Sequence, residues 1–264
     1  MHGDGRAAGE PYDHPMADLA YADRGSGEPL VFLHGIAASH AMWEPVVERL
    51  ESTRRCVAID LPGHGASPDG DLGALPMVEA VHRVIVELGL GTPLFVGHSL
   101  GGLVSTLHAA THGARGVINV DQVLDLAAFE DALGPDRARF RDHRFPEVWA
   151  EFLAAQRPDL VPESRRGAVL ADIRPRQDVV LALWGDVLDH GAAAVQPVLD
   201  GALGAVACPY LAIYGEVPND DVRAAVERIP GAQLEVWDDH GHFLHLVDVD
   251  RFVSRVMEFE GTLD

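Results

Sequence analysis

The sequence predicts an α/β fold in which a mainly parallel sheet is flanked by helices on both faces, with a helical insertion. Three observations support this prediction: short apolar runs recur along the chain, helical patterns lie between them, and one long interval lacks any such run. Strands that are buried on both faces are apolar at every position, which is typical of central strands in parallel sheets. Regular alternation of strands and helices is typical of doubly wound sheets.

Each strand and helix prediction rests on its own stretch of sequence. The apolar runs predicted as strands cover residues 30–34, 55–60, 93–97, 116–121, 210–215 and 232–237, and an earlier strand and turn are predicted within 19–29. Helical patterns follow most of these runs, at residues 40–52, 77–89, 100–113, 220–231 and 249–260. In such sheets ligands bind at the carboxyl ends of the strands, so the residues that end each run are the first candidates for a functional site.

Composition divides the chain into an arm, a core and an insertion. Residues 1–16 are rich in Gly, Pro and charged side chains, which predicts a flexible N-terminal arm. Residues 17–125 and 206–264 are predicted to form the sheet and its helices. Residues 126–205 contain helical patterns but no good strand, and they are predicted to form a cap over the strand ends. The predicted cap contains nine of the chain's 20 arginines.

The charge balance argues against several classes of partner. The formal net charge is −21, and all 20 basic residues are arginines. Such an acidic protein is repelled by phosphate backbones and by anionic lipid surfaces, so neither nucleic acid nor a membrane is expected as a partner. The N-terminus has no apolar leader segment and no apolar run is long enough to span a bilayer, so a cytoplasmic location is expected.

The segment VGHSLGG at 96–102 carries the strongest chemical signal. Gly97 to Gly101 fit the pattern G-x-S-x-G, and they lie where a predicted strand ends and a helix begins. A serine in such a tight turn projects its hydroxyl above the sheet, and the flanking glycines remove Cβ atoms that would clash where the chain reverses. The helix that follows directs its N-terminal N–H groups toward negative charge. Ser99 is therefore predicted to be a nucleophile.

Four motifs together make the chain resemble the α/β-hydrolase superfamily from about residue 17 to 259. FLHGIAAS at 32–39 resembles the family's oxyanion loop, and DLPGHGAS at 60–67 resembles its loop after the next strand. GHSLGG resembles its nucleophile elbow, and DHGHFLHL at 239–246 resembles its histidine loop. The resemblance implies an eight-stranded, mainly parallel sheet with a helical cap inserted after the sixth strand.

The resemblance also implies roles for individual residues. His242 is expected to be the general base for Ser99 and later the general acid for the leaving group. The backbone N–H groups of Ile36 and Leu100 are expected to form the oxyanion hole, in which one donor is typically worth roughly 3–4 kcal/mol. His98, next to the serine, is expected to contact the substrate or to pack. No metal or cofactor is expected, because no cluster of carboxylate, histidine and cysteine ligands accompanies these histidines.

The acid that should orient His242 is absent from its usual place. The family usually has Asp three residues after the glycine that ends the strand, where this chain has Pro218 in YGEVPNDD at 214–221. Asp121 ends the preceding apolar run, and neighbouring strands are about 4.8 Å apart, so its carboxylate can reach the same histidine from the side. A minority of the family places its acid there. Asp121 is therefore predicted to be the catalytic acid.

Other carboxylates, and another role for Asp121, stay open at this point. A rearranged loop could instead present Glu216, Asp220 or Asp221, and Asp125 is a more remote alternative. Aspartate often ends a strand because its side chain caps the following turn, so Asp121 could have that structural role alone. The surroundings of each carboxylate in the folded chain separate these alternatives.

A serine nucleophile with these partners predicts acyl transfer to water, and we expect cleavage of a carboxylic ester or lactone through an acyl-enzyme intermediate. Haloalkane dehalogenase and epoxide hydrolase chemistries are excluded, because those members of the family use aspartate at the elbow. Carbon–carbon bond hydrolases and cofactor-free perhydrolases use the same three side chains and are alternatives. A receptor-like protein that binds a ligand with little turnover is the alternative of a different class.

The predicted cap supplies the candidates for substrate specificity. Trp149, Phe152 and Trp184 are predicted to line an apolar pocket, with packing inside the cap as the alternative for each. A small or medium-sized apolar ester or lactone is therefore the expected substrate. The cap arginines could attract an acidic substrate, or they could form solvated faces that balance the acidic core.

Overall fold

The computed structural model describes residues 19–135 and 137–263. Its strands are β1 (Tyr21–Gly25), β2 (Pro29–Leu33), β3 (Arg55–Ile59), β4 (Leu94–His98), β5 (Gly116–Val120), β6 (Tyr210–Tyr214) and β7 (Gln233–Val236). They form one sheet in the order β1-β3-β2-β4-β5-β6-β7, in which β1 is antiparallel to β3 and all other pairs are parallel. Every strand predicted from an apolar run is present, and the sheet is mainly parallel as predicted.

The number of strands differs from the expectation. The described residues contain seven strands, one fewer than the eight that the resemblance implied. β1 is the edge strand of the sheet, and only two described residues precede it, which is too short a segment for another strand. The strand that was expected to be sixth is therefore β5 here. The predicted arm at residues 1–16 lies outside the described residues.

Helices connect the strands and cover the sheet. They are α1 (Glu44–Leu50), α2 (Ala74–Glu87), α3 (Leu100–His112), α4 (Leu126–Ala132), α5 (Phe145–Ala155), α6 (Glu163–Asp172), α7 (Gln177–His190), α8 (Ala192–Ala205), α9 (Asp220–Glu227), α10 (Leu244–Val247) and α11 (Val249–Glu260). Within the described ranges, none of them has both the length and the apolar character needed to cross a bilayer.

The central strands are apolar at every position because helices bury both faces of the sheet. Val31 and Phe95 belong to one apolar layer, which they share with α2, α3, α8 and α9. Phe32 and Val96 belong to the other layer, which they share with α1 and α11. All four side chains are fully buried, and each such burial typically contributes about 1.5–3 kcal/mol. The two layers thus hold the parallel strands with their carboxyl ends at one edge.

Helices α4 to α8 lie between β5 and β6 in the chain, in the interval predicted as a cap. The described part of this interval contains no strand, and it buries Phe140, Phe145 and Trp149 in an apolar cluster that also includes Ala37 of the loop after β2. We call residues 126–205 the helical segment. Its assignment as a separate cap stays a prediction.

Arginines of the helical segment form ion pairs with neighbouring carboxylates. Arg139 lies 2.7 Å from a carboxylate oxygen of Glu151, and Arg176 lies 2.6 Å from one of Asp178. Both acidic partners are exposed to solvent. This arrangement favours the interpretation of these arginines as solvated faces rather than as a patch that binds an acidic substrate.

Candidate active site

Ser99 occupies a strained backbone position between β4 and α3. Its φ of 51° and ψ of −123° lie outside the regions that non-glycine residues usually adopt. The N–H of Ser99 donates a 2.9 Å hydrogen bond to the carbonyl oxygen of Val120 in the neighbouring strand. A Cβ atom at Gly97 would lie 2.2 Å from the carbonyl oxygen of Gly101, and one at Gly101 would lie 2.1 Å from that of Leu33. Close backbone approach therefore requires both glycines of the motif.

The imidazole of His242 lies against the carboxylate of Asp121. Nδ1 of His242 is 2.7 Å from Oδ2 of Asp121, and Oδ1 of Asp121 accepts a 2.8 Å hydrogen bond from the N–H of Gly215. The N–H of Asp121 donates a 2.8 Å bond to the carbonyl oxygen of Ile213. Asp121 also has a left-handed φ of 55°, a conformation that Asp and Asn adopt more readily than most residues. The end of β5 thus presents a fixed carboxylate to the histidine.

The carboxylates of the loop after β6 have different surroundings. Asp220 and Asp221 lie in the first turn of α9, and Glu216 is exposed on the wall of the cavity described below. None of these three side chains forms a hydrogen bond with His242 in the described structure. The geometry therefore favours Asp121 over the alternatives in this loop.

Other side chains provide the caps that were the alternative role for Asp121. Oδ1 of Asn119 accepts a 2.9 Å hydrogen bond from the N–H of Gln122, in the turn that follows β5. Oδ1 of Asp125 accepts a 2.7 Å hydrogen bond from the N–H of Ala128 and so caps the start of α4, which gives that side chain a structural role. The two carboxylate oxygens of Asp121 bond instead to Gly215 and His242, so capping of the turn after β5 does not account for the position of this side chain.

Backbone N–H groups suited to an oxyanion lie beside the serine. Ile36 and Leu100 line the same cavity as Ser99. Leu100 begins α3, and the first N–H groups of a helix have no acceptor within the helix. Neither N–H donates to another atom of the described residues. Two such donors can bind an oxygen that becomes negatively charged, and their use as an oxyanion hole stays a prediction.

Hydrogen bonds of its backbone N–H and carbonyl groups fix the position of His242, and sequence reasoning did not predict their partners. Its N–H donates a 3.2 Å hydrogen bond to the carbonyl oxygen of Gln156, which follows α5. Its carbonyl oxygen accepts a 3.0 Å bond from Nε2 of His98. The side chains of His242 and Ser99 face the same cavity, although no hydrogen bond joins them in the described structure. Nothing in the sequence marks Gln156, because a glutamine after a helix is common and its carbonyl oxygen acts here.

His98 is buried behind the serine. It is 2% exposed, and its ring lies 4.5 Å from the ring of His242, measured between centroids. Burial, together with the neighbouring His242 ring, holds the pKa of His98 well below its ordinary value of 6.5, so the ring stays neutral. These observations favour packing for His98, since it borders only a small pocket beside the serine and not the main cavity.

The main cavity has a volume of about 630 Å³, a size suited to a drug-sized organic molecule. Phe152 and Trp184 lie on its wall, where sequence reasoning placed them. Trp149 does not line it, because this ring packs inside the helical segment and reaches only the small pocket, of about 30 Å³. The walls come from the strand ends, from α3, α4, α5, α7 and α8, and from the first turns of α2 and α9.

Several apolar side chains at the cavity were not predicted. Leu75, Val198 and Val217 line it although all three are largely exposed to solvent. Val217 lies in the loop after β6, where a functional residue was expected, so its sequence position was a usable signal. Leu75 and Val198 carry no such signal, because their place at the cavity depends on how α2 and α8 pack.

The chain matches a protein-family model, curated relatives and solved structures. Residues 30–255 match the model of the alpha/beta hydrolase family. The chain is 27% identical over 270 residues to a pimeloyl-(acyl-carrier protein) methyl ester esterase of Vibrio vulnificus, covering 92% of this chain and 98% of the relative. It is 28% identical over 242 residues to a 2-succinyl-6-hydroxy-2,4-cyclohexadiene-1-carboxylate synthase of Salmonella paratyphi A, covering 86% and 93%. A thermophilic esterase from Thermogutta terrifontis has a similar fold, with a TM-score of 0.72, 22% identity, and coverage of 92% and 93%.

Proposed function

Because the chain belongs to the alpha/beta hydrolase family, we propose that it is a serine hydrolase that cleaves a carboxylic ester or lactone. The observation that carries this proposal is the strained serine of the elbow, which shares one cavity with a histidine bonded to a carboxylate. A serine hydroxyl is a poor nucleophile at neutral pH, and it needs an adjacent base. The same arrangement argues against a receptor-like protein, because binding a ligand without turnover does not require a strained serine beside a histidine that is bonded to a carboxylate.

In the proposed first half-reaction, Oγ of Ser99 attacks the carbonyl carbon while Nε2 of His242 takes the hydroxyl proton. The carboxylate of Asp121 keeps the proton of the imidazole on Nδ1 and stabilises the imidazolium that forms. The N–H groups of Ile36 and Leu100 bind the oxyanion. The imidazolium then protonates the leaving alcohol, and an acyl-enzyme on Ser99 remains.

In the second half-reaction, water replaces the alcohol. His242 removes a proton from the water, the resulting nucleophile attacks the acyl carbon, and Ser99 leaves with the proton returned by the imidazolium. The carboxylic acid is the product. No hydrogen bond joins the side chains of Ser99 and His242 in the described structure, and such catalytic hydrogen bonds often tighten only when substrate binds.

The relatives support an ester over the other bonds that this machinery can cleave. One relative is named as a methyl ester esterase, which is the reaction class proposed here. The relative named as a synthase has a carboxylate in its named product. Among the described residues no arginine lines the cavity of this chain, which disfavours a reaction whose substrate already carries such a carboxylate. We further propose that residues 126–205 act as the cap that sets specificity, through Phe152 and Trp184.

Multiple-turnover hydrolysis of short-chain p-nitrophenyl esters tests the proposal. We expect the wild-type protein to release many equivalents of p-nitrophenol, and we expect Ser99→Ala to lower kcat by at least about 1,000-fold. Ser254→Ala is the matched control, because this exposed serine lies on α11 and does not line the cavity. Equal rates for wild type and Ser99→Ala, or no turnover by folded wild type, would contradict the proposal.

A further inference from the structure

The charged side chains that line the main cavity are all of one sign. The charged side chains among its lining residues are all carboxylates, namely Asp121, Asp186 and Glu216. No arginine of residues 19–135 and 137–263 lines it, and the chain contains no lysine. Nine arginines belong to the helical segment that builds much of the wall, so their absence from the lining does not follow from a local shortage of basic residues.

Two arginines lie next to lining residues without lining the cavity themselves, and each has a hydrogen-bond or ion-pair partner. Nε of Arg223 donates a 3.2 Å hydrogen bond to the carbonyl oxygen of Pro218, which is itself a lining residue. Arg157, next to the histidine loop, lies 3.0 Å from a carboxylate oxygen of Asp159. A negatively charged group in the cavity would therefore find carboxylates and apolar walls, with no cationic side chain among the residues that line it.

Exposed apolar side chains also lie at the mouth of the cavity, beside the exposed carboxylates of Asp186 and Glu216. Five large apolar side chains of the described residues are strongly exposed, and three of them line this cavity: Leu75 (55% exposed), Val198 (72%) and Val217 (62%). Exposed apolar side chains normally occur singly, and a group of them at one opening marks a surface that binds apolar partners. The cavity can thus hold an apolar group that extends from Ser99 out to the rim.

The space around Ser99 is also unequal on its two sides. Ser99 and His242 border both the main cavity of about 630 Å³ and the adjoining pocket of about 30 Å³. The smaller pocket is lined by buried side chains such as Met42 and Phe243. A carbonyl carbon at Ser99 can therefore have a bulky substituent on one side and only a small one on the other.

We propose that the substrate is a neutral ester with one bulky apolar arm and one small arm, and that esters carrying a carboxylate on the bulky arm are rejected. This inference rests on the proposed function, and it specifies the substrate class. A carboxylate that enters the cavity loses its hydration without gaining a cationic partner. It is also repelled by Asp186 and Glu216 and, at longer range, by the net charge of −21.

A matched pair of substrates tests the charge preference. Methyl octanoate and monomethyl suberate have the same chain length and the same leaving group, and only the suberate ends in a carboxylate. At pH 8 and low ionic strength, we expect kcat/KM for methyl octanoate to be at least about 100-fold higher, because the buried carboxylate is left unpaired. Equal rates, or a preference for the suberate, would overturn the inference.

Two exposed valines provide variants with the same change of charge. Val217→Arg places a cation at the rim and is expected to raise kcat/KM for the suberate relative to the octanoate by at least about 10-fold. Val86→Arg is the control, since Val86 is 65% exposed on α2 and does not line the cavity. We expect it to leave the ratio unchanged. A similar change of the ratio in both variants would mean that net charge, not the cavity, determines the preference.

The size preference has its own comparison. Both esters carry the bulky p-nitrophenyl group, but the acyl arm of p-nitrophenyl acetate is small whereas that of p-nitrophenyl octanoate is bulky. We expect the acetate to have a kcat/KM at least about 10-fold higher. Turnover of p-nitrophenyl acetate with equal rates for the two methyl esters would reject this inference and leave the proposed function intact. No turnover of any of these esters by folded wild type would reject both.

Discussion

The carboxylate of Asp121 and the imidazole of His242 form the contact on which the proposed chemistry depends. Asparagine at position 121 can adopt the same left-handed backbone, and its side-chain oxygen can still accept the hydrogen bond from the N–H of Gly215. Its NH₂ group, however, cannot accept a hydrogen bond from Nδ1–H of His242. We therefore expect Asp121→Asn to retain the fold and to lower kcat for ester hydrolysis by about 10⁴-fold, because the wrong tautomer becomes favoured. Steady-state kinetics, with circular dichroism to verify folding, measures this effect.

Asp220→Asn and Asp221→Asn are the matched controls for this residue-scale prediction. Both side chains lie in the first turn of α9 and neither bonds to His242, so we expect kcat to stay at the wild-type value. A small loss of stability is expected instead, since acidic side chains at a helix N-terminus typically contribute about 0.3–1 kcal/mol.

At the scale of elements, the end of β6 and the histidine loop are in backbone contact. The N–H groups of His240 and Gly241 both donate 3.1 Å hydrogen bonds to the carbonyl oxygen of Gly215. A Cβ atom at Gly215 would lie 1.9 Å from the carbonyl oxygen of Gly241. We expect Gly215→Ala to lower the free energy of unfolding by about 1–3 kcal/mol and to displace His242, which urea titration and ester kinetics measure together.

Gly201→Ala, in the middle of α8, is the control for that substitution. A Cβ atom there meets nothing within 4 Å, so we expect the free energy of unfolding to rise by about 0.5–1 kcal/mol. If Gly215→Ala were as stable as Gly201→Ala, the close approach of β6 to the histidine loop would be wrong.

The elements differ in how far the sequence predicts them. Buried parallel strands are recognisable because both faces are apolar, and the elbow is recognisable because Gly97 and Gly101 are required by close contacts. The proposed acid was harder to choose from the sequence, because the contact of Asp121 with His242 depends on how β5 lies beside the histidine loop. The cavity lining at Leu75 and Val198 was not predicted, because it follows from the packing of helices whose relative positions no local pattern specifies.

At the scale of the whole molecule, buried neutral histidines make stability depend on pH. Burial lowers the pKa of His245 from 6.5 to about 3 and that of His108 to about 4. Above pH 6.5 these side chains are neutral in both states. Between pH 6.5 and about 4 the unfolded chain binds protons that the folded protein does not, so unfolding becomes easier as the pH falls.

We expect the free energy of unfolding to be lower at pH 5 than at pH 7, by about 2 kcal/mol for each such histidine. Urea titrations at the two pH values measure this difference. His245→Phe keeps an aromatic ring against Trp43, 4.6 Å away between centroids, and removes one titrating group, so its unfolding should depend less on pH. An equal pH dependence for this variant and wild type would contradict the prediction.

The proposed triad is tested most directly by the kcat of wild type and Asp121→Asn on p-nitrophenyl acetate at pH 8, with Ser99→Ala as the background. We expect many turnovers by wild type and a rate for Asp121→Asn that falls about 10⁴-fold, toward that of Ser99→Ala. Wild-type turnover by folded Asp121→Asn, together with its loss in Asp220→Asn or Asp221→Asn, would contradict the role of Asp121 and would place the acid in the loop after β6.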